Sequence, residues 1–222
     1  MILPTEINLL YISAVILLVA TFGLVVRRGF SDWVHAYRYQ TIVLSCIVAL
    51  IAFTTNIWEL YIVSVLTFGI KAVLIPKILF YVTNKLDSPI KLEVNPYISM
   101  RLSVIISALL VAMSYFISLQ LDIKSEQIIH VFLPVSLSLF FIGMFIIISR
   151  RKALNQVLGL LTIENGLFLF AVVLTHGLSL IIEIGLMADI VVGVIISSIL
   201  LFRISRTFDS MDIRNLESLR DD

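Results

Sequence analysis

The sequence is poor in the residues from which metal centres and soluble catalytic sites are usually built. It has one cysteine, Cys46, and three histidines among its 222 residues. A single cysteine excludes an intrachain disulfide and a cysteine-ligated zinc or iron–sulfur centre. There is no glycine-rich phosphate loop and no nucleophile elbow. We therefore expect no metal or organic cofactor in this chain, and we interpret Cys46 as a packing residue.

Charged residues are also scarce. They make up 14% of the chain, and hydrophobic residues make up 60%, whereas a soluble domain carries about 25% charged residues. The net charge is +1, and no basic stripe with interleaved aromatics is present, so nucleic acid is not an expected partner. A membrane β-barrel would show short alternating segments instead of long apolar runs. The composition indicates an all-α, polytopic integral membrane protein.

Seven apolar runs are long enough to be transmembrane helices. They cover residues 5–26, 39–56, 58–82, 98–119, 128–149, 153–175 and 179–203. The first is expected to remain as a span, because Glu6 opens it and its basic pair follows the apolar run, unlike the order in a cleaved signal peptide. We divide the chain into a four-helix segment, 1–127, and a three-helix segment with a tail, 128–222.

Basic residues concentrate on one predicted face. They lie after spans one, five and seven and between spans three and four: Arg27, Arg28, Arg38, Lys85, Lys91, Arg101, Arg150, Arg151, Lys152, Arg203, Arg206, Arg214 and Arg220. The opposite connections carry only Lys124. Because cytoplasmic loops hold the basic excess, this pattern predicts an external N-terminus and a cytoplasmic C-terminus. The longest internal loops are 27–38, whose Trp33, Tyr37 and Tyr39 suit an interfacial belt, and 83–97.

Four ionisable groups lie inside the predicted spans. Lys71 is near the centre of the third, five residues before Pro76, and Glu164 and Asp189 are near the centres of the sixth and seventh. Glu183 lies about one turn inside the outer end of the seventh. A charge at the bilayer centre costs about 2.5–3.5 kcal/mol and marks a functional candidate. We predict that Lys71, Glu164 and Asp189 form a charge-coupled relay, with Glu183 beside it. Alternatively, the acids are structural hydrogen-bonding groups.

The predicted sixth and seventh spans carry a recognisable set of motif residues. A basic cluster, a Leu-Gly-Leu step and an asparagine occur in order: Arg150, Arg151, Lys152, Gly159 and Asn165. With Asp189 before a run of small residues, residues 128–222 resemble the K subunit of respiratory complex I, a three-span protein. The glutamate of that family would align with Leu161. The acid here is Glu164, nearly one turn later and on the same side of the helix.

Three longer motifs extend the resemblance over the whole chain. They are IKAVLIP around Lys71, GLLTIENGLFL around Glu164, and EIGLMADIVVGVI with Glu183 and Asp189. In these motifs the chain is similar to the hydrogenase-4 component E family. The resemblance implies a non-catalytic subunit in the cytoplasmic membrane, partnered by antiporter-like and hydrogenase-anchor-like membrane subunits and a peripheral redox arm. Such complexes couple electron transfer to proton or sodium translocation.

Two other functions remain open at this point. The first is a small subunit of a multi-subunit cation/proton antiporter, whose C subunit also resembles the K subunit but lacks the four extra spans. The second is a structural scaffold that only fills the membrane arm of a complex. Neutral replacements of the intramembrane charges distinguish these functions, because a scaffold should tolerate them.

The predicted topology has a direct test. Cysteines introduced as Ser88→Cys and Ser125→Cys should react with a membrane-impermeant thiol reagent from opposite sides of the membrane, since the first lies on the basic face and the second on the acidic one. Labelling of right-side-out and inverted vesicles gives the readout. Reaction of both positions from one side would contradict the seven-span arrangement.

Overall fold

The computed structural model describes residues 4–27, 29–85, 98–121, 127–150 and 153–175, together with the isolated Gly193. Apart from short connections, these ranges are helical. The elements are α1 (Pro4–Val26), α2 (Phe30–Thr55), α3 (Trp58–Thr67), a π-helical segment (Phe68–Leu74), α4 (Ile75–Lys85), α5 (Met100–Gln120), α6 (Gln127–Ser149) and α7 (Ala153–Thr175). The segments α3, π and α4 follow one another without a break and make up the third span.

Six helices in the described ranges are long and apolar enough to cross a membrane. They correspond to the first six predicted spans and confirm an all-helical, multi-pass membrane protein. The seventh predicted span, 179–203, lies outside the described residues. Its existence and the sidedness of the termini stay predictions.

The start of α2 corrects one expectation. Residues 27–38 were expected to form a loop, but α2 begins at Phe30. Trp33, Val34 and Tyr37 are fully buried, whereas the polar side chains among and beside them are exposed: Ser31, Asp32, His35 and Arg38. This one-sided pattern suits an amphipathic helical turn, whose polar face lowers the average hydropathy by which a span is recognised. The expected interfacial belt is wrong for Trp33 and Tyr37, and only Tyr39 faces outward, with 65% of its surface exposed.

The third span changes its winding around Lys71. The Ile75 backbone N–H donates to the Ile70 carbonyl, five residues back, which is the π-helical pattern. Pro76 explains why the regular pattern fails here, because it has no N–H to offer Ala72 and its ring crowds that carbonyl. Single π turns occur often at functional sites. Here the π turn contains Lys71, whose side chain is buried.

The interior of the bundle consists of two apolar clusters with a polar layer between them. One cluster is built on Leu17, Val48 and Leu139, and the other on Leu24, Ile75 and Ile146. The buried polar side chains at intermediate positions are Thr21, Gln40, Thr41, Thr67, Lys71, Thr162 and Asn165. Since lipid cannot satisfy polar groups, their concentration in the protein interior is physically required. This layer contains the candidate site.

Helices α6 and α7 approach each other closely at glycines. A Cβ atom on Gly166 would lie 2.7 Å from the Phe140 backbone nitrogen, and one on Gly143 would lie 2.7 Å from the Ile163 backbone nitrogen. Small residues allow such close backbone contact between membrane helices. The contact fixes the position of α7 and therefore of Glu164.

Alanine at Gly166 should separate α6 from α7 because its Cβ would meet backbone atoms, which cannot move as a flexible side chain can. We expect Gly166→Ala to destabilise the protein by about 1–3 kcal/mol, the usual range for overpacking. Gly23→Ala is the matched control, since nothing lies within 4 Å of its added Cβ. Thermal aggregation in detergent measures the difference. Equal midpoints for the two variants would contradict this description of the interface.

Candidate functional site

Lys71 and Glu164 form a salt bridge in the middle of the bundle. Lys71 comes from the π-helical segment of the third span, and Glu164 comes from the centre of α7. The side chain of Lys71 is 1% exposed and that of Glu164 is 21% exposed. The sequence predicted these two groups at similar depth, and the structure brings them into contact. Removing one member of such a pair leaves an uncompensated buried charge.

The ammonium of Lys71 contacts two further side chains of α7. Its Nζ donates to Asn165 Oδ1 at 3.4 Å and lies 4.6 Å from the centre of the Phe168 ring. Glu164 and Phe168 are four residues apart and therefore lie one above the other on the same helical face. A desolvated cation–π contact of this kind contributes about 2 kcal/mol. All three contacts favour the charged form of the lysine.

A hydrogen-bonded branch connects this site to α2. Asn165 Nδ2 donates to Thr41 Oγ1 at 3.2 Å, and Thr41 Oγ1 donates to the Tyr37 carbonyl at 3.0 Å. The side chains of Asn165, Thr41 and Tyr37 are all fully buried. Sequence analysis recognised Asn165 only as a motif match and missed the other two. The available signal was the polar pair Gln40-Thr41 at the start of an apolar run.

Several polar atoms around the ion pair are buried without a hydrogen-bond partner in the described part of the chain. They are the Tyr37 hydroxyl, Glu164 Oε2 and Thr67 Oγ1. The Tyr37 phenol lies close to the side chains of Thr41, Asn165 and Glu164. Buried polar groups normally bind protein groups or ordered water. The site therefore combines an ion pair with additional buried donors and acceptors.

A second buried cation lies near one end of the bundle. Arg150, directly after α6, donates from Nη2 to the Val25 carbonyl at 3.1 Å, and its Cζ lies 5.2 Å from the centre of the Trp33 ring. Burial lowers the pKa of the Arg150 guanidinium, but arginine remains cationic in proteins. Its contact with a carbonyl in the last turn of α1 satisfies a group that the helix itself leaves unpaired. Arg150 therefore fastens α1 and α2 to the end of α6.

The other sequence candidates have different outcomes. Asp189 and Glu183 lie outside the described residues, so their place in the relay stays a prediction. Two of the three histidines, which are not among the predicted site residues, lie in the described ranges and are exposed: His35, beside the Phe80 ring with 5.0 Å between ring centres, and His130. Cys46 is exposed on the surface of α2, and the expectation that it packs in the interior is wrong. The polar residues of α2 that face inward, not Cys46, contribute to the site.

Comparison with known proteins identifies relatives of both parts of the chain. Residues 131–221 match the family described as NADH-ubiquinone/plastoquinone oxidoreductase chain 4L. Hydrogenase-4 component E of Escherichia coli is 27% identical over 184 residues, which are 83% of this chain and 84% of that protein. The uncharacterized protein Rv0085 of Mycobacterium tuberculosis is 26% identical over 205 residues, 92% and 93% of the two chains. No solved structure gives a significant match.

The fold and these similarities define a class of protein. It is a multi-pass helical membrane protein whose C-terminal part matches the NADH-ubiquinone/plastoquinone oxidoreductase chain 4L family. Within this class the chain is similar to hydrogenase-4 component E, the resemblance that its three motifs indicated. The chain 4L match includes Glu164 and Asn165 but not Lys71. The lysine of the ion pair therefore comes from the N-terminal part, to which the component E similarity extends.

Because Lys71 and Glu164 form an ion pair, we expect a second substitution at Glu164 to restore folded protein that a substitution at Lys71 has lost. Lys71→Met should lower the amount of folded protein in the membrane, because Glu164 loses its cation; breaking a buried pair costs about 3–5 kcal/mol. Lys71→Met combined with Glu164→Gln should recover most of the loss, since no buried carboxylate then remains. Fluorescence-detected size exclusion of detergent extracts measures the folded fraction.

Lys77→Met provides the matched control for this pair of variants. Lys77 lies in α4, on the same continuous span, and its side chain is exposed. Its replacement should leave the folded fraction near the parent level. A double variant as depleted as Lys71→Met alone would show that the charge pair does not govern stability at this position.

Proposed function

We propose that this protein is a non-catalytic membrane subunit of a group 4 NiFe-hydrogenase-type or related energy-converting complex. Its role is to carry protons or sodium ions through part of the membrane, coupled to electron transfer elsewhere in the complex. The observation that carries the proposal is the Lys71–Glu164 ion pair in the membrane interior. We propose Asp189 as a further carrier, with Glu183 as its outer neighbour, from their positions in the sequence. The similarity to hydrogenase-4 component E supports the type of complex.

A buried lysine–carboxylate pair is suited to ion coupling because its protonation depends strongly on neighbouring charges. Two unit charges about 4 Å apart interact by about 4 kcal/mol at an effective dielectric constant of 20. That energy changes a protonation equilibrium by roughly a thousandfold. A charge that arrives near the pair from one side therefore drives proton uptake or release at Glu164. Such intramembrane acids serve as proton relays in pumps and transporters.

The surroundings of Glu164 also indicate that other protein packs against this side of α7. Glu164 lies at the centre of α7, yet 21% of its side chain is exposed among the described residues. Its Oε2 is buried without a hydrogen-bond partner in the described part of the chain, and a carboxylate at that depth requires protein or water around it. Further protein, from this chain or from a neighbouring antiporter-like or anchor subunit, covers this side of α7. We place the complex in the cytoplasmic membrane, with the peripheral redox arm on the cytoplasmic side.

A scaffold function is the alternative that a specific observation favours. The ion pair and the Asn165–Thr41 hydrogen bond tie α7 to the third span and to α2, and such ties also have a purely structural value. The two functions differ in whether a titrating proton is required. A neutral isostere that keeps the hydrogen bonds serves a scaffold but not a relay.

Glu164→Gln and Asp189→Asn test this difference. Each removes the titrating proton while nearly preserving size and hydrogen-bonding capacity, so ion pumping should fall to background. Glu164→Gln also leaves the Lys71 cation without its anion, which should lower the amount of assembled complex. The measurement is substrate-driven ion uptake by inverted vesicles, divided by the electron-transfer rate and by the amount of assembled complex.

Glu59→Gln is the control for these two variants, since Glu59 lies in the first turn of α3, away from the ion pair. It should keep the parent's ratio of ions to electrons. If Glu164→Gln and Asp189→Asn also keep that ratio, the acids are structural and the relay assignment is wrong.

A further inference from the structure

The hydroxyl of Thr41 determines which way the Asn165 amide points. A threonine hydroxyl has a single hydrogen to donate, and Thr41 donates it to the Tyr37 carbonyl at 3.0 Å. Towards Asn165 the hydroxyl oxygen is therefore an acceptor, and it receives Nδ2 at 3.2 Å. The amide oxygen, Oδ1, is left pointing at Lys71 Nζ, at 3.4 Å. The direction of all three hydrogen bonds is thus fixed from the α2 backbone.

We propose that Thr41 is a positioning residue which, through Asn165, keeps Lys71 protonated while Glu164 takes up and releases its proton. The proposal rests on the ion-translocation function proposed above. An amide oxygen accepts a hydrogen bond from the ammonium but does not titrate. When Glu164 gains a proton and loses its charge, Asn165 Oδ1 and the Phe168 ring still stabilise the cation. The charge change of each cycle is then confined to Glu164.

The hydrogen-bonded pair of Asn165 and Thr41 can affect the protonation of Lys71 because both side chains are buried. Thr41 and Asn165 are both 0% exposed, so bulk water does not compete for the amide oxygen. A hydrogen bond to a charged group is worth more than one between neutral groups. With valine in place of Thr41, Nδ2 loses the hydroxyl acceptor that it has on α2, so the amide is no longer held with Oδ1 toward the ammonium and can rotate away from it.

Among the described helices, the titratable group paired with Lys71 is Glu164 on α7, and the other titratable group near Glu164 is Tyr37 on α2. Tyr37 is close to Glu164 and to the Asn165 amide. Its phenol also lies close to the Thr41 side chain, so Thr41→Val is measured in a Tyr37→Phe background as well. A change in pH dependence that persists there reports on the lysine and its acidic partner.

The experiment is the pH profile of ion uptake per electron for Thr41→Val in the assembled complex. Without its neutral acceptor, Lys71 is deprotonated more easily, so coupling should be lost at lower pH than in the parent. One hydrogen bond to a charged group corresponds to a shift of the alkaline limb by roughly one to two pH units. Thr41→Ser keeps the hydroxyl and should restore the parent profile. If Thr41→Val lowers assembly, Thr41→Ala removes the same hydroxyl without added bulk and is measured in its place.

Thr162→Val is the matched control. Thr162 is equally buried, and its hydroxyl donates to the Leu158 carbonyl at 2.8 Å, four residues back, as that of Thr41 does on α2. Its variant should keep the parent profile. An unshifted profile for Thr41→Val, or equal shifts for the two valine variants, would overturn the proposal. Parent-like pumping by Glu164→Gln would refute the proposed function instead, so the two failures are distinguishable.

Discussion

A lysine cation held in the interior of a membrane protein is the constraint on which the described structure depends. An ammonium at this depth requires an anion, further acceptors and the exclusion of lipid. Helix α7 meets all three needs, since Glu164, Asn165 and Phe168 converge on Lys71 from one face. The π-helical turn, which Pro76 induces, belongs to the same arrangement because it contains the lysine. The two apolar clusters then enclose the polar layer from both ends.

Helix positions that surround the ion pair are fixed by contacts at some distance from it. Close backbone packing at Gly143 and Gly166 sets α7 against α6. Arg150 fastens the end of α1 to the same end of the bundle through the Val25 carbonyl. A rigid frame of this kind matters for a relay, since a shift of about 1 Å in a functional group is enough to impair its chemistry. These helices therefore combine a structural role with the proposed functional one. Substitutions that change charge and keep shape distinguish the two roles.

Sequence reasoning predicted the depth of groups along each helix better than their lateral arrangement. The spans and the similar depth of Lys71 and Glu164 followed from hydropathy and from a rise of about 1.5 Å per residue. Which helices touch is set by packing of the whole bundle, so the contact with Asn165 and the branch through Thr41 could not be predicted. The start of α2 was misplaced because an amphipathic turn averages to a polar segment, and the burial of Trp33 and Tyr37 was missed for the same reason. Asp189 and Glu183 rest on sequence alone.

In the proposed function, Glu164 changes its protonation during turnover, beside a lysine that stays charged. Infrared difference spectroscopy of the assembled complex, recorded between its reduced and oxidised states, observes carboxyl groups directly. We expect a band of a protonated carboxyl group that appears with turnover in the parent, is absent in Glu164→Gln, and persists in Glu59→Gln. A spectrum without such a band in the parent, or one that Glu164→Gln leaves unchanged, would contradict the proposed function.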